Sequence, residues 1–224
     1  MNENKIPPEN DPKVSLVWIT PDAEQMIIDI ARVSSNKPVG TPGKNLITYL
    51  IEHRHWSPFE MANICVEITC VPRDITRQLL RHHMHFQEFS QRYADAANLG
   101  DVIYRDCRMQ DPKNRQASLD CDDPELTQWW FNAQEAISSS ATNIYATALE
   151  RGIAKEVART VLPEGMTPTR MYVNGTIRSW LHYILARWAE GVQPEHYILA
   201  ERVYEVLTLN IPTITESFIG YHYA

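Results

Sequence analysis

The sequence predicts an α+β fold: a small, mostly antiparallel sheet with helices packed around it and a helix-rich C-terminal half. Two observations place the sheet early. Val14 to Ile19 (VSLVWI) is β-branched and aromatic, and Glu60 to Val71 (EMANICVEITCV) alternates around Ile64, Val66, Ile68 and Cys70. A third places the helices late: Pro124 to Arg151, Thr176 to Glu190 and Pro194 to Leu209 all read as helices.

Taken in order, residues 1–13 form a polar, proline-bearing tail, and 14–224 a single domain. After the first strand, Pro21-Asp22 opens a helix over Ala23 to Val33, with Met26, Ile27, Ile30 and Ala31 at helical spacing. Asn36 to Lys44, with two prolines and two glycines, is a loop. A short helix, Asn45 to His53, is broken by Pro58. The second strand leads through Pro72-Arg73-Asp74 into a helix over Ile75 to His82. Val102 to Arg108 is a candidate strand, and the Pro124 helix has a candidate irregularity at Ser138–Ser140. Gly152 separates that helix from another, Ile153 to Val161, stopped by Pro163. Residues 163–175 read as loop, and Pro194 to Leu209 as the last long helix.

At 224 residues the chain suits one domain with a full core. Hydrophobic residues at 44% and charged residues at 22% are ordinary for a soluble globular protein. A net charge of −7 argues against a nucleic-acid partner, which calls for a basic surplus. The arginines nonetheless gather in 73–92 and 151–187. Four cysteines (Cys65, Cys70, Cys107, Cys121) without CxxC spacing read as reduced thiols of a cytoplasmic protein. No apolar run approaches the ~18 residues of a membrane span. His53, His55, His82, His83 and His85 lack HxxxH or HExxH spacing, so no metal site is expected.

The densest chemistry lies in 76–95, TRQLLRHHMHFQEFSQRYAD. Leu79, Leu80, Met84, Phe86, Phe89 and Tyr93 alternate there with arginines, histidines and glutamines, which predicts half burial. An arginine so placed needs an anionic or planar partner, because an unpaired buried charge costs several kcal/mol. Arg77 and Arg81 share a helix face at i, i+4, either toward a ligand or in surface pairs with Asp74 and Glu88. The second half, FQEFSQRY, is compatible with a strand-like segment carrying Glu88, Ser90 and Arg92 on one side. Farther on stand Glu156, Arg159, Arg170, Arg178, His182 and Arg187. Arg178 and His182 share a face, whereas Arg187, nine residues beyond Arg178, is about 180° around the helix. Such a helix is either solvated or serves two sites of an oligomer. With no GxGxxG or P-loop, a nucleotide would have to be held by side chains.

RQLLRHH followed by FQEFSQRY resembles the signature of the flavin-dependent thymidylate synthases: Arg-His-Arg, a short spacer, then Asn/Gln-Glu-x-Ser-x-Arg-Tyr. ARVSS (31–35), HRHWSPFE (53–60), ARTVLP (158–163) and TIRSWLHYILAR with QPEH (176–196) are similar to that family in the same order. The likeness spans most of 14–210. Two features depart from it. His83 stands where the family usually has arginine, losing a permanent charge and a bidentate fork. The spacer to Gln87-Glu88 is also one residue shorter, and the 163–176 loop one longer.

The resemblance implies a homotetramer with active sites at subunit junctions, binding FAD, dUMP, NADPH and methylenetetrahydrofolate. It implies that Ser34, His55, Ser57, Glu60, Arg81, His82, His83, Glu88, Thr176, Arg178 and His182 hold the flavin, with Ile177 adding a backbone contact. Gln78, Arg81, Glu88, Ser90, Gln91, Arg92 and Arg159 would hold the nucleotide, chiefly its phosphate, with Ser90 a hydrogen-bonding group rather than a nucleophile. Arg187 would lie against the uracil ring as the catalytic cation. The implied reaction is methylation of dUMP to dTMP. The altered signature leaves two other readings: a relative modifying another pyrimidine nucleotide, for example by hydroxymethylation, and a catalytically silent FAD- or nucleotide-binding oligomer.

Overall fold

Two antiparallel strands, β2 (Asn63–Pro72) and β6 (Pro168–Thr176), form the centre of the molecule. The computed structural model describes residues 11–222, so residues 1–10 of the tail expected over 1–13 lie outside the described residues, and Lys13 already belongs to the first strand. β1 (Lys13–Ile19) pairs with β2, and β3 (His85–Glu88) with the far side of β6. The sheet order is β1-β2-β6-β3, every neighbour antiparallel. This is the expected α+β architecture.

The core forms where the alternation of β2 meets that of β6. Ile64, Val66 and Ile68 face Met171 and Val173, and helices close over them through Ile27, Ile47, Ile75, Trp180, Val203 and Phe218, all fully buried. Trp180 donates its indole N–H to the Ile64 carbonyl at 3.0 Å. That contact needs Gly175: a Cβ there would sit 3.2 Å from Trp180 Nε1 and 3.0 Å from Met84 Cγ.

The helices are α1 (Ala23–Ala31), α2 (Lys44–Glu52), α3 (Arg73–Leu79), α4 (Pro124–Glu150), α5 (Lys155–Ala158), α6 (Ile177–Arg187), α7 (Pro194–Asn210) and α8 (Pro212–His222). A 3-10 turn spans Ser57–Glu60. α4 runs unbroken through Ser138–Ser140, its N-terminus capped by Asp123 with Pro124 in the first turn. Ser138 Oγ donates to the Glu135 carbonyl, so the serines stay within the helix.

Several expectations need correction. Of the expected loop over 163–175, only 163–167 is loop, and 168–176 is an inner strand. Proline, arginine, asparagine and glycine mask its alternation, and pairing on both sides overrides their weak strand preference. Residues 102–107 form no strand; Ile103 N–H and Arg105 N–H are satisfied by the Met166 carbonyl and the Gln134 side chain. A small hairpin follows, β4 (Arg108–Gln110) with β5 (Ser118–Asp120). The helix expected over 153–161 shrinks to α5 and a 3-10 turn over Arg159–Val161. α6 stops at Arg187, short of Glu190, and α3 at Leu79, short of His82. α8 was not foreseen, because Pro212 reads as a breaker although proline is well suited to the first helical position.

Two local distortions aim the site. Cys70 has a positive φ of 55° where the β2–β6 register shifts, between Ile68 and Val71. The bulge bends the strand end so that α3 starts at once, with Arg73 N–H bonded to the Thr167 carbonyl at 3.2 Å. Arg54, with φ of 56°, turns the HRHW segment beneath the start of the Ser57–Glu60 turn.

Candidate active site

α6 carries arginines at both ends, and each meets a different set of groups. At its first turn, Thr176 caps the helix by accepting the Ser179 N–H at 3.1 Å and donates its hydroxyl to Glu60 Oε2 at 2.9 Å. Arg178 Nη1 donates to Glu60 Oε1 at 2.6 Å. Burial pushes the Glu60 carboxyl up, but the Thr176 hydroxyl and the Arg178 guanidinium together outweigh it, holding the group ionised and below the usual carboxylate range. His83 adds a smaller electrostatic effect in the same direction. One turn on, His182 packs edge-on to Trp56, ring centroids 4.9 Å apart, and burial with the Arg178 charge lowers its pKa.

His55 stands edge-on to Tyr49, itself stacked on His53 at 3.9 Å. Ser57 is exposed at the head of its turn, and Ser34 is exposed in the segment after α1. The structure thus gathers Glu60, Thr176, Arg178 and His182, with His83 in electrostatic reach. Among the described contacts none ties Ser34 to them.

At the other end of α6, Arg187 donates from Nη2 to His82 Nε2 at 3.0 Å. A guanidinium can only donate, so His82 is neutral there, with its proton on Nδ1. Burial and the adjacent Arg187 charge keep it so, pushing its pKa down to about 4. Arg187 Nε is buried without a partner. The His82 ring meets Tyr183 edge-on, centroids 4.9 Å apart. Gln78, from α3, donates to Gln193 Oε1 at 2.8 Å and faces His196 Nδ1 at 3.4 Å. Of the Arg81-His82-His83 run, His82 therefore lies with Arg187 and Gln78, His83 toward Glu60, and Arg81 is exposed between them.

The strand-like reading of FQEFSQRY holds for its first part, β3. Glu88 points inward, accepting from Thr169 Oγ1 at 3.0 Å and Thr76 Oγ1 at 3.3 Å. Arg73 Nη1 pairs with the same oxygen at 3.3 Å, an ion pair without the alignment of a good hydrogen bond. Glu88 is thus a support for Arg73. Beside it opens a cleft of about 210 Å³ lined by Arg73, Arg77, Gln91, Arg159, Thr160 and Thr167, among others. Gln91 is only 5% exposed, and its Nε2 has no partner. Arg77 pairs with Glu164 at 2.9 Å. Ser90 Oγ accepts the Arg92 N–H at 3.4 Å, and the Arg92 side chain pairs with Glu156 at 3.3 Å on the surface.

Arg73, Tyr183, Gln193 and His196 were not among the expected site residues. Gln193 and His196 lie in the QPEH block, whose family likeness was visible without any role for its members. Arg73 was legible only as part of a helix start. Glu88→Gln tests the support it receives: losing the carboxylate strands a guanidinium 11% exposed, so stability falls by about 2 kcal/mol, less than for a fully buried pair. Urea unfolding measures this; an unchanged midpoint would remove Glu88 from the role.

A family model described as thymidylate synthase complementing protein matches residues 15–213. A probable flavin-dependent thymidylate synthase of Paramecium bursaria Chlorella virus 1 is 42% identical over 198 residues, covering 87% of this chain and 90% of that protein. A flavin-dependent thymidylate synthase of Synechocystis sp. is 42% identical over 193 residues, covering 85% and 87%. Among solved structures, a UMP/dUMP methylase, PolB from Streptomyces cacaoi bound with 5-Br UMP, superposes with a TM-score of 0.79. It is 25% identical in sequence, covering 94% of this chain and 95% of that one. Motifs in the same order, a matching family model and this shared fold place the chain in the flavin-dependent thymidylate synthase family.

Proposed function

We propose that the chain methylates dUMP to dTMP, taking the carbon from methylenetetrahydrofolate and reducing power from NADPH, with FAD as bound cofactor. The observation that carries this is Arg187: a cation on a half-buried helix face, held by a neutral histidine, with Nε buried and unpartnered. C5 of uracil is a weak nucleophile until negative charge can gather on the O2–N3–O4 edge. A guanidinium fixed against that edge, away from water, stabilises the charge as C5 attacks. His82 keeps Arg187 aimed without competing for it, since it carries no charge of its own.

Gln78, Arg81, Glu88, Ser90, Gln91, Arg92 and Arg159 hold the nucleotide. Gln91 and Arg159 share the arginine-lined cleft, whose donors suit a phosphate, and Glu88 acts there by fixing Arg73. The second cluster suits FAD. Arg178, His182 and His83 offer donors to phosphates, and the ionised Glu60 is an acceptor for ribose hydroxyls. Ser34, His55, Ser57, Arg81 and Thr176 complete that set, whereas His82, expected there, stands beside Arg187 at the other end of α6. FAD held there would supply the hydride-transfer chemistry that links NADPH to reduction of the one-carbon unit. The chain's own part is to bind, orient and polarise.

Arg178 and Arg187 serve different sites if the protein is a homotetramer with active sites at subunit junctions. Exposed Trp129, Ile137 and Ile144 on α4 support such assembly, being too apolar for a helix that stays in water. The proposed setting is the cytoplasm, with no nucleic-acid or membrane partner. The four cysteines are unbonded, and no helix among the described residues is long and apolar enough to cross a membrane.

Incubation with FAD, dUMP, methylenetetrahydrofolate and NADPH, followed by mass analysis, decides the product. A gain of one CH2 is expected. A hydroxymethyl product, or none from a flavin-loaded protein, refutes methylation. A second reading, another pyrimidine nucleotide as substrate, is favoured by His83 in place of the signature arginine and by the likeness to the UMP/dUMP methylase PolB. UMP in place of dUMP tests it in the same assay.

A further inference from the structure

His196 is fully buried at the start of α7, and no part of the proposed reaction uses it. Its surroundings nevertheless determine its protonation. Gln78 donates its amide nitrogen to Gln193 Oε1 at 2.8 Å, which turns its oxygen toward His196 Nδ1, 3.4 Å away. That pairing requires the proton on Nδ1. His196 Nε2 is then a bare acceptor, buried and without a partner. The Tyr183 ring lies alongside, centroids 5.6 Å apart, and its hydroxyl is also buried and unpartnered. Unpaired polar atoms in a core are costly, and leucine would fill the space without that cost. Something about the Nδ1 contact offsets the penalty.

We infer that His196 is a positioning residue: with Gln193 it locks the Gln78 amide in one orientation, so that its second N–H and second oxygen lone pair face the nucleotide. An unheld glutamine flips between two nearly isosteric orientations, one of which presents oxygen where a donor is needed. Here the chain Gln193–Gln78–His196 assigns the ends, because a histidine donating from Nδ1 pairs only with the amide oxygen. Burial and the adjacent Arg187 charge push the pKa of His196 down to about 3, so the ring does not gain a second proton near neutrality. Gln193 belongs to the segment between α6 and α7, and α3 carries Gln78. Three elements thus meet on one amide.

This inference rests on reading Gln78 as a nucleotide ligand, and the variants separate the two ideas. His196→Leu removes the donor and keeps the volume. His196→Asn keeps a donor near the Nδ1 position, whereas His196→Gln moves it one bond out. Calorimetric titration of each purified, FAD-loaded variant with dUMP is the readout, with FAD content and melting temperature recorded alongside. His196→Leu is expected to weaken dUMP binding about tenfold at unchanged FAD content, and His196→Asn to stay within about threefold of the parent. Should the leucine variant fail to fold, His196→Asn must still bind several-fold tighter than His196→Gln. Asparagine and glutamine variants that bind alike overturn the inference. So does wild-type affinity in His196→Leu when Gln78→Ala has lost binding. If Gln78→Ala itself binds dUMP normally, the reading of Gln78 fails first and this one with it.

Discussion

Arg187→Ala is expected to lower kcat/KM for dUMP by about a thousandfold, the scale for losing one preorganised donor to a developing charge, while FAD content stays at the parent level. The retention follows from the layout of α6. The cluster proposed for FAD at its first turn is built on Arg178, which pairs with Glu60 and makes no contact with Arg187. Arg187→Lys refines the test: it keeps a charge but not the fork that reaches His82 at 3.0 Å. An intermediate loss for lysine marks geometry as well as charge as catalytic. Loss of FAD with intact nucleotide binding would mean that the two ends of α6 have been given each other's roles.

Acidification from about pH 7 to about pH 5 is expected to destabilise the fold by about 2 kcal/mol for His196 and about 1 kcal/mol for His82, whose partly exposed ring is screened by solvent. The sign follows from linkage. Folded, their pKa values lie near 4 and 3, while unfolded imidazoles titrate near 6.5. Between these limits the unfolded chain binds more protons, so stability is full above about pH 6.5 and drains away as pH falls toward the folded values. His182 and His222 are lowered by burial too and add in the same direction. Glu60 and Glu195, held below the carboxylate range, contribute only at lower pH. Urea unfolding at the two pH values measures the difference, and His196→Leu should lose one histidine's share of it. A free energy that does not change over this interval would contradict a neutral, buried His82 and His196.

Much of the fold was legible because its periods are local. β1, β2, α1 and α4 follow from alternation, helical spacing and a capping residue, each set by side chains a few positions apart. β6 was not legible. TRMYVNGT contains arginine, asparagine and glycine, and becomes an inner strand only because β2 and β3 satisfy its backbone on both sides. α8 was hidden by Pro212, whose effect depends on whether it stands inside a helix or at its start.

For the site the division is similar. The sequence by itself determined which chemistry is present: arginines at i, i+9 on one helix, the RHH and QEFSQRY runs, and a family signature altered at His83. It also determined that Arg178 and Arg187 point to opposite sides, since helix geometry depends only on spacing. Only the tertiary structure decided who meets whom. It put His82 with Arg187, separate from its neighbour His83. It turned Glu88 inward as a support for Arg73, and it buried His196 against Gln78, 118 residues away in the chain. The reason is physical. Spacing fixes direction within an element, but protonation, pairing and burial depend on which elements pack together, and that is settled by the core as a whole.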